Sequence, residues 1–124
     1  MRFVIYTFML MLACGTVSAH ELTPTYPKLT PSIYAGVLKT TMTMFNRRED
    51  ISYYQIEVYD ENWNSIPFAS ENNVLKMEYL ERKTLDIYIR SADSVRVKYI
   101  CTRSKILKGE ENSLIASNIC SKVE

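Results

Sequence analysis

The chain has 124 residues, with 15 basic and 14 acidic side chains, one histidine and three cysteines. This length fits one domain and is too short for two domains with separate hydrophobic cores. The near balance of charge gives no electrostatic reason to expect a nucleic acid or an anionic surface as a partner. We therefore expect a single small domain and no nucleic-acid partner.

The N-terminal 19 residues have the pattern of a secretory signal peptide. Arg2 precedes an uncharged apolar run from Phe3 to Ala13, and Val17 and Ala19 satisfy the small-x-small rule for cleavage before His20. The run is shorter than the roughly 20 apolar residues that a membrane-spanning helix needs. We expect residues 1–19 to be removed and the protein to be periplasmic or secreted, without a membrane span.

The cysteines agree with export. A lipid anchor at Cys14 is the alternative to cleavage, but only Ala13 of the preceding residues fits a lipobox, so we favour removal of Cys14. Cleavage after Ala19 leaves the pair Cys101 and Cys120 in a compartment where disulfides persist. We predict that these two form a disulfide.

Residues 20–32 read as an extended lead-in with room for an edge strand, because Pro24, Pro27 and Pro31 exclude a helix. Residues 33–124 show mostly period-two alternation, which predicts an all-β domain. In Thr84–Arg90 and Ile51–Asp60 the alternate apolar residues, for example Ile87 and Ile56, would face a core. The further candidate strands are Tyr34–Phe45, with Met42 and Met44 on one face, Ile66–Ala69, Ser94–Leu107 and Ser113–Cys120.

Two further segments need separate comment. Asn73–Lys83 fits a strand or a helix equally well. Ser94–Leu107 places Val95, Val97, Tyr99 and Cys101 on one face.

If Cys101 and Cys120 face each other across an antiparallel hairpin, its turn centres between residues 110 and 111. Gly109 and Asn112 flank that position, as a turn prefers. The same register pairs Leu107 with Leu114 and Lys105 with Ala116.

The candidate chemistry is sparse, and we expect no enzyme, no cofactor and no catalytic residue. Nucleophilic catalysis needs a base, and the single histidine lies at the expected mature N-terminus. Copper binding by His20 and the new α-amine is an alternative, although no second histidine is present to complete a site. The sequence otherwise predicts no metal site.

Tyrosines offer a possible protein-binding surface. Tyr53 and Tyr59 have the outward parity of one strand, and Tyr88 has that of another. Tyrosine is enriched at protein–protein interfaces, but outward tyrosines also commonly form cross-strand pairs in a sheet. Both interpretations stay open.

Three segments together resemble the N-terminal immunoglobulin-like domain of the PapD-like periplasmic pilus chaperones. Thr41–Asn46 is a strand that ends in asparagine before a polar turn, Tyr54–Asp60 carries aromatic and acidic residues, and Thr84–Arg90 alternates aliphatic residues. The resemblance implies a single antiparallel sandwich of about seven strands, with Asn73–Lys83 as strand and loop. It also implies that the protein binds other polypeptides through its edge strands.

The chain departs from that family where its subunit-binding cleft would be. Tyr26–Leu38 offers only Lys28 and no arginine, so no site residue carries over. The expected function is a small exported β-sandwich that binds protein, as a chaperone-like or accessory component of a bacterial surface or secretion assembly. The alternatives are a self-assembling structural or virion-associated protein and a periplasmic copper-binding protein that uses His20.

Overall fold

The computed structural model describes residues 20–105 and 117–124, which form two antiparallel β-sheets packed face to face. The strands are β1 (Glu21–Thr23), β2 (Thr30–Pro31), β3 (Val37–Phe45), β4 (Tyr53–Tyr59), β5 (Val74–Lys76), β6 (Arg82–Arg90), β7 (Tyr99–Lys105) and β8 (Asn118–Lys122), with one helical turn, α1 (Ser91–Ser94). In the first sheet, β1 and β2 pair with one edge of β3, and β6 pairs with the other. The second sheet has the order β5-β4-β7-β8. The predicted immunoglobulin-like sandwich is confirmed.

Alternating apolar residues build the core between the sheets. Tyr54, Ile56 and Val58 of β4 are buried, and so are Ile87 and Ile89 of β6. Because successive side chains of a strand point to opposite faces, β4 and β6 each supply one apolar face to the core. The core also takes Met42 and Met44 from β3, as their parity predicts.

The predicted strand over Ser94–Leu107 is wrong at its start, and Val95, Val97, Tyr99 and Cys101 do not share one face of a strand. Residues 91–94 form α1, whose Asp93 accepts hydrogen bonds from Arg90 and Arg96, and Val95 is 88% exposed. The strand begins only at Tyr99, and its core face holds Ile100, Thr102 and Ser104. A helical turn has a different period from a strand, so parity counted across it does not carry over into β7.

Residues 66–69 do not form the predicted strand. Ser65 forms an isolated bridge with Tyr59 in the second sheet, and Ala69 forms one with Tyr88 in the first. The segment therefore crosses from one sheet to the other, and Pro67 at its centre has no N–H for a ladder. Asn73–Lys83 is the strand β5 followed by a loop, because β5 pairs with β4.

The turn after β3 is organised by the fully buried Asn46. Its Nδ2 donates to the carbonyl oxygens of Ile51 and Met77, at 2.9 and 3.1 Å, and also to that of Glu78. Its Oδ1 accepts from the Tyr54 hydroxyl at 2.6 Å and from the Arg48 N–H at 3.0 Å. One side chain thus joins β4 and both loops at this end of the sandwich.

Candidate functional site

The last strand, β8, lies at the edge of the second sheet, and its hydrogen bonding fixes which backbone groups face outward. Ser104 N donates to Ser117 O, and Val123 N donates to Lys98 O, both at 2.8 Å. In an antiparallel pair the residues alternate between hydrogen-bonded and non-hydrogen-bonded positions. The N–H and C=O groups of Asn118, Cys120 and Lys122 therefore point away from β7.

The lead-in forms backbone hydrogen bonds with only one end of this edge, although β1 also lies close to β8 and His20 reaches the Ser117 hydroxyl at the other end. Lys122 N donates to Thr25 O, and Glu124 N donates to Pro27 O, both at 3.0 Å. Within residues 20–105 and 117–124, no backbone group pairs with the outward N–H and C=O of Asn118 and Cys120. These unpaired groups, which we call the open edge of β8, can accept an added strand.

The disulfide fastens this edge strand to the sheet. Cys101 and Cys120 lie directly opposite in the β7–β8 ladder and are bonded, so the predicted pairing is confirmed. The predicted turn, and the pairs Leu107 with Leu114 and Lys105 with Ala116, fall on residues outside the described ranges. Because Ile100 and Thr102 face the core, the disulfide lies on the outward side of the sheet.

The three tyrosines proposed as a binding surface do not lie together. Tyr53 and Tyr59 are six positions apart on the outward side of β4, about 20 Å along the strand. Tyr88 lies on the outward side of β6, in the opposite sheet, where it contacts the ring of Tyr34. All three are half-buried. A single surface built from these three residues is therefore excluded by the topology.

An aromatic cluster that the sequence did not reveal lies beside Tyr59. Trp63 stacks on Tyr99 with ring centroids 4.2 Å apart and an interplanar angle of 2°, and its ring lies 5.7 Å from that of Tyr59. Tyr59 and Tyr99 are paired neighbours in the sheet. The signal that could have revealed the cluster is the turn sequence from Asp60 to Asn64, which returns Trp63 over the strand.

His20, expected at the exposed tip of the exported chain, is instead 1% exposed. Its Nε2 donates to the carbonyl oxygen of Thr102 at 3.1 Å, which leaves Nδ1 to accept from the Ser117 hydroxyl at 3.0 Å. Its ring lies 4.5 Å from that of Tyr54. Both ring nitrogens are engaged inside the protein, so the arrangement does not support His20 as a copper ligand.

The burial of His20 makes the stability of the protein depend on pH. Desolvation by burial, opposed by the Thr102 hydrogen bond and assisted by the charge of Arg48, lowers the pKa of His20 from 6.5 to about 4. Because the unfolded chain takes up the proton first, the stability is fully present above about pH 6.5 and falls between pH 6.5 and 4. We expect a loss of about 3 kcal/mol over this range.

Urea unfolding at several pH values measures this loss. The matched variant His20→Gln keeps polar groups at the site but does not titrate, so its stability should change less over the same pH range. Equal pH dependence in the two proteins would contradict the assignment to His20.

Lys28, the lone cation of the lead-in, lies 3.6 Å from Glu124 in an exposed ion pair. Across the described residues there is no group of three or more His, Cys, Asp or Glu side chains placed to hold a metal ion. In the same ranges, no helix has the length and apolar character of a membrane span.

Comparisons with known proteins bear on the fold. No protein-family model matches the chain, and no curated protein matches it. Among solved structures, the fold is similar to the crystal structure of the E. coli chaperone DraB, with a TM-score of 0.63 and 19% sequence identity. The similarity covers 85% of this chain and 53% of DraB, so this chain spans about half the length of that chaperone. It shows a chaperone-like fold.

Proposed function

We propose that the protein is a small exported, non-enzymatic β-sandwich that binds other polypeptides through the open edge of β8. Its role would be that of a chaperone-like or accessory component of a bacterial surface or secretion assembly. The observation that carries this proposal is the pair of unpaired backbone positions at Asn118 and Cys120. The similarity of the fold to that of a chaperone supports it.

The surroundings of the open edge suit strand addition. An added strand gains main-chain hydrogen bonds, and its side chains find specificity in the surfaces beside the edge. The Cys101–Cys120 disulfide holds β8 in register with β7, so β8 loses little conformational entropy when a strand is added. At Lys122 the added strand must end, because Thr25 already occupies the outward N–H of that residue.

The variant Asn118→Pro tests this proposal because proline removes the outward N–H while leaving the bonds to β7 in place. We expect the amount of envelope protein that co-purifies with the tagged protein from a periplasmic extract to fall at least about tenfold. A tenfold loss corresponds to about 1.4 kcal/mol of binding free energy. Quantitative mass spectrometry of the co-purified proteins gives the ratio, and thermal unfolding confirms that the variant folds.

Two control variants isolate the edge. Asn118→Ala removes the side chain but keeps the backbone N–H, and Val74→Pro makes the same proline change at the opposite edge of the second sheet, where Val74 N–H also faces outward. Both should retain the partner. Retention by Asn118→Pro, or recovery of no envelope protein by the unaltered chain, would contradict client binding at this edge. If light scattering shows that the unaltered chain forms oligomers and that Asn118→Pro is monomeric, self-assembly through this edge is favoured instead.

A further inference from the structure

The outward side of the second sheet is formed by four paired strands. We call it the outer face of the second sheet. Strand register places its side chains in four rows: Lys76, Tyr53 and Lys105; then Val74, Gln55, Arg103 and Asn118; then Glu57, Cys101 and Cys120; then Tyr59, Tyr99 and Lys122. Lys76, Arg103, Asn118 and Lys122 of these rows are exposed, whereas Cys101 is fully buried. The face is a polar and aromatic surface about 20 Å long along the strands.

This face concentrates positive charge in a chain whose total charge is nearly balanced. Four of its side chains are cations, Lys76, Arg103, Lys105 and Lys122, and Glu57 is the only carboxylate in the four rows. Glu57 is held by Arg103 at 2.5 Å and accepts a hydrogen bond from the Tyr59 hydroxyl. The three lysines thus remain as uncompensated charges in the rows, which favours an anionic ligand.

Trp63 gives the same face a rigid aromatic platform. The indole covers the Tyr99 ring in parallel stacking, yet Trp63 is 54% exposed, so solvent reaches much of its ring. Its backbone is fixed by Asp60, whose Oδ1 accepts from Asn62 N and Asn64 N, both at 2.9 Å. The φ of Trp63 is +63°, a left-handed value that the surrounding turn maintains. A fixed, exposed ring loses little entropy when it binds.

We propose that the outer face of the second sheet binds an acidic polysaccharide. The C–H face of one sugar ring would stack on the Trp63 indole, and the carboxylates or sulfates of the following sugars would pair with Lys122 and Lys105. Along β7, Lys105 lies about 20 Å from Tyr99, so the two lysines are spread along the strand direction. A sheet face with this spacing fits an extended polymer better than a small ligand, which prefers a concave pocket.

The aromatic arrangement favours a polysaccharide over single-stranded nucleic acid. Proteins that bind single strands stack successive bases on several aromatic side chains. Here Trp63 covers the Tyr99 ring, and the Tyr59 ring packs against Trp63, so the cluster offers one stacking plane. Gln55 and Asn118, between the platform and the far lysine, can donate to and accept from sugar hydroxyls.

Fluorescence titration tests the proposal directly, because Trp63 is the only tryptophan of the chain. We expect alginate oligosaccharides, which are chains of uronic acids, to change Trp63 emission in a saturable manner, with affinity that falls as salt increases. Dextran, which is neutral, should bind at least about tenfold more weakly. The proposal is overturned if alginate leaves the emission unchanged at low salt, or if oligo(dT) binds as tightly as alginate.

Matched double variants separate this site from general charge attraction. Lys105→Gln/Lys122→Gln should weaken alginate binding at least about tenfold, whereas Lys39→Gln/Arg82→Gln makes the same charge change on the outward side of the first sheet and should leave it within about twofold. Trp63→Ala, followed by calorimetry, should weaken binding without abolishing the salt dependence. Equal losses in the two double variants, or unchanged affinity in Trp63→Ala, would overturn the proposed site.

Discussion

Replacement of Asn46 by alanine is expected to lower the free energy of unfolding by about 4 kcal/mol. The substitution removes both the donor and the acceptor of a fully buried amide. It removes the hydrogen bonds that the Asn46 side chain forms with the carbonyl oxygens of Ile51 and Met77 and with the hydroxyl of Tyr54. Each buried polar group that loses its hydrogen bond costs about 1–3 kcal/mol, and local rearrangement recovers part of the sum.

Urea unfolding followed by circular dichroism measures the effect, and Tyr54→Phe provides the graded control. That variant removes a single hydroxyl, whose proton is firmly held because burial raises the pKa of Tyr54 to about 12. It also leaves Asn46 Oδ1 bonded to Arg48 N, so the expected loss is only about 1 kcal/mol. A loss below about 1 kcal/mol in Asn46→Ala would show that Asn46 does not organise the turn.

Loss of the Cys101–Cys120 disulfide is expected to cost about 3 kcal/mol in the double variant Cys101→Ser/Cys120→Ser. The bond closes a loop with a sequence separation of 19, which restricts the unfolded chain, and it holds the edge strand that carries the proposed binding site. For a domain with a net stability of about 5–15 kcal/mol, this is a large fraction. The edge strand should therefore be the first part of the second sheet to open.

Chemical unfolding with and without a thiol reductant measures this contribution. Reduction of the native protein should lower the unfolding midpoint to that of the double variant, and the reductant should not change the double variant itself. Hydrogen exchange should rise most in β8 among the described strands. Coincident midpoints of the oxidised and reduced proteins would contradict a stabilising role.

The two effects concern different regions of the sandwich and should combine additively. Asn46 joins the loops at one end, whereas the disulfide lies on the outward side of β7 and β8. Variants at well-separated sites without shared partners generally add. The proposed binding of polypeptides depends on β8. We therefore expect that reduction of the disulfide weakens partner binding under conditions in which the first sheet is still folded.

The sequence by itself determined the strands in which alternation is uninterrupted and the register of the pair of cysteines. Ile56 and Ile87 lie on the faces that their parity predicts, and Cys101 lies opposite Cys120. These features depend on short-range geometry, because the two-residue period of a strand is a local property of the chain. The sequence also predicts that Asn46 ends this strand, because a polar turn follows it.

Only the tertiary structure decided which surfaces those strands create. The order of strands in two sheets separates Tyr88 from Tyr53, buries His20 against Thr102, and brings Trp63 onto Tyr99. The same order leaves the outward backbone groups of Asn118 and Cys120 without a backbone partner and places Lys76, Lys105 and Lys122 on one face. These outcomes depend on contacts between residues far apart in the sequence, which period and composition do not encode.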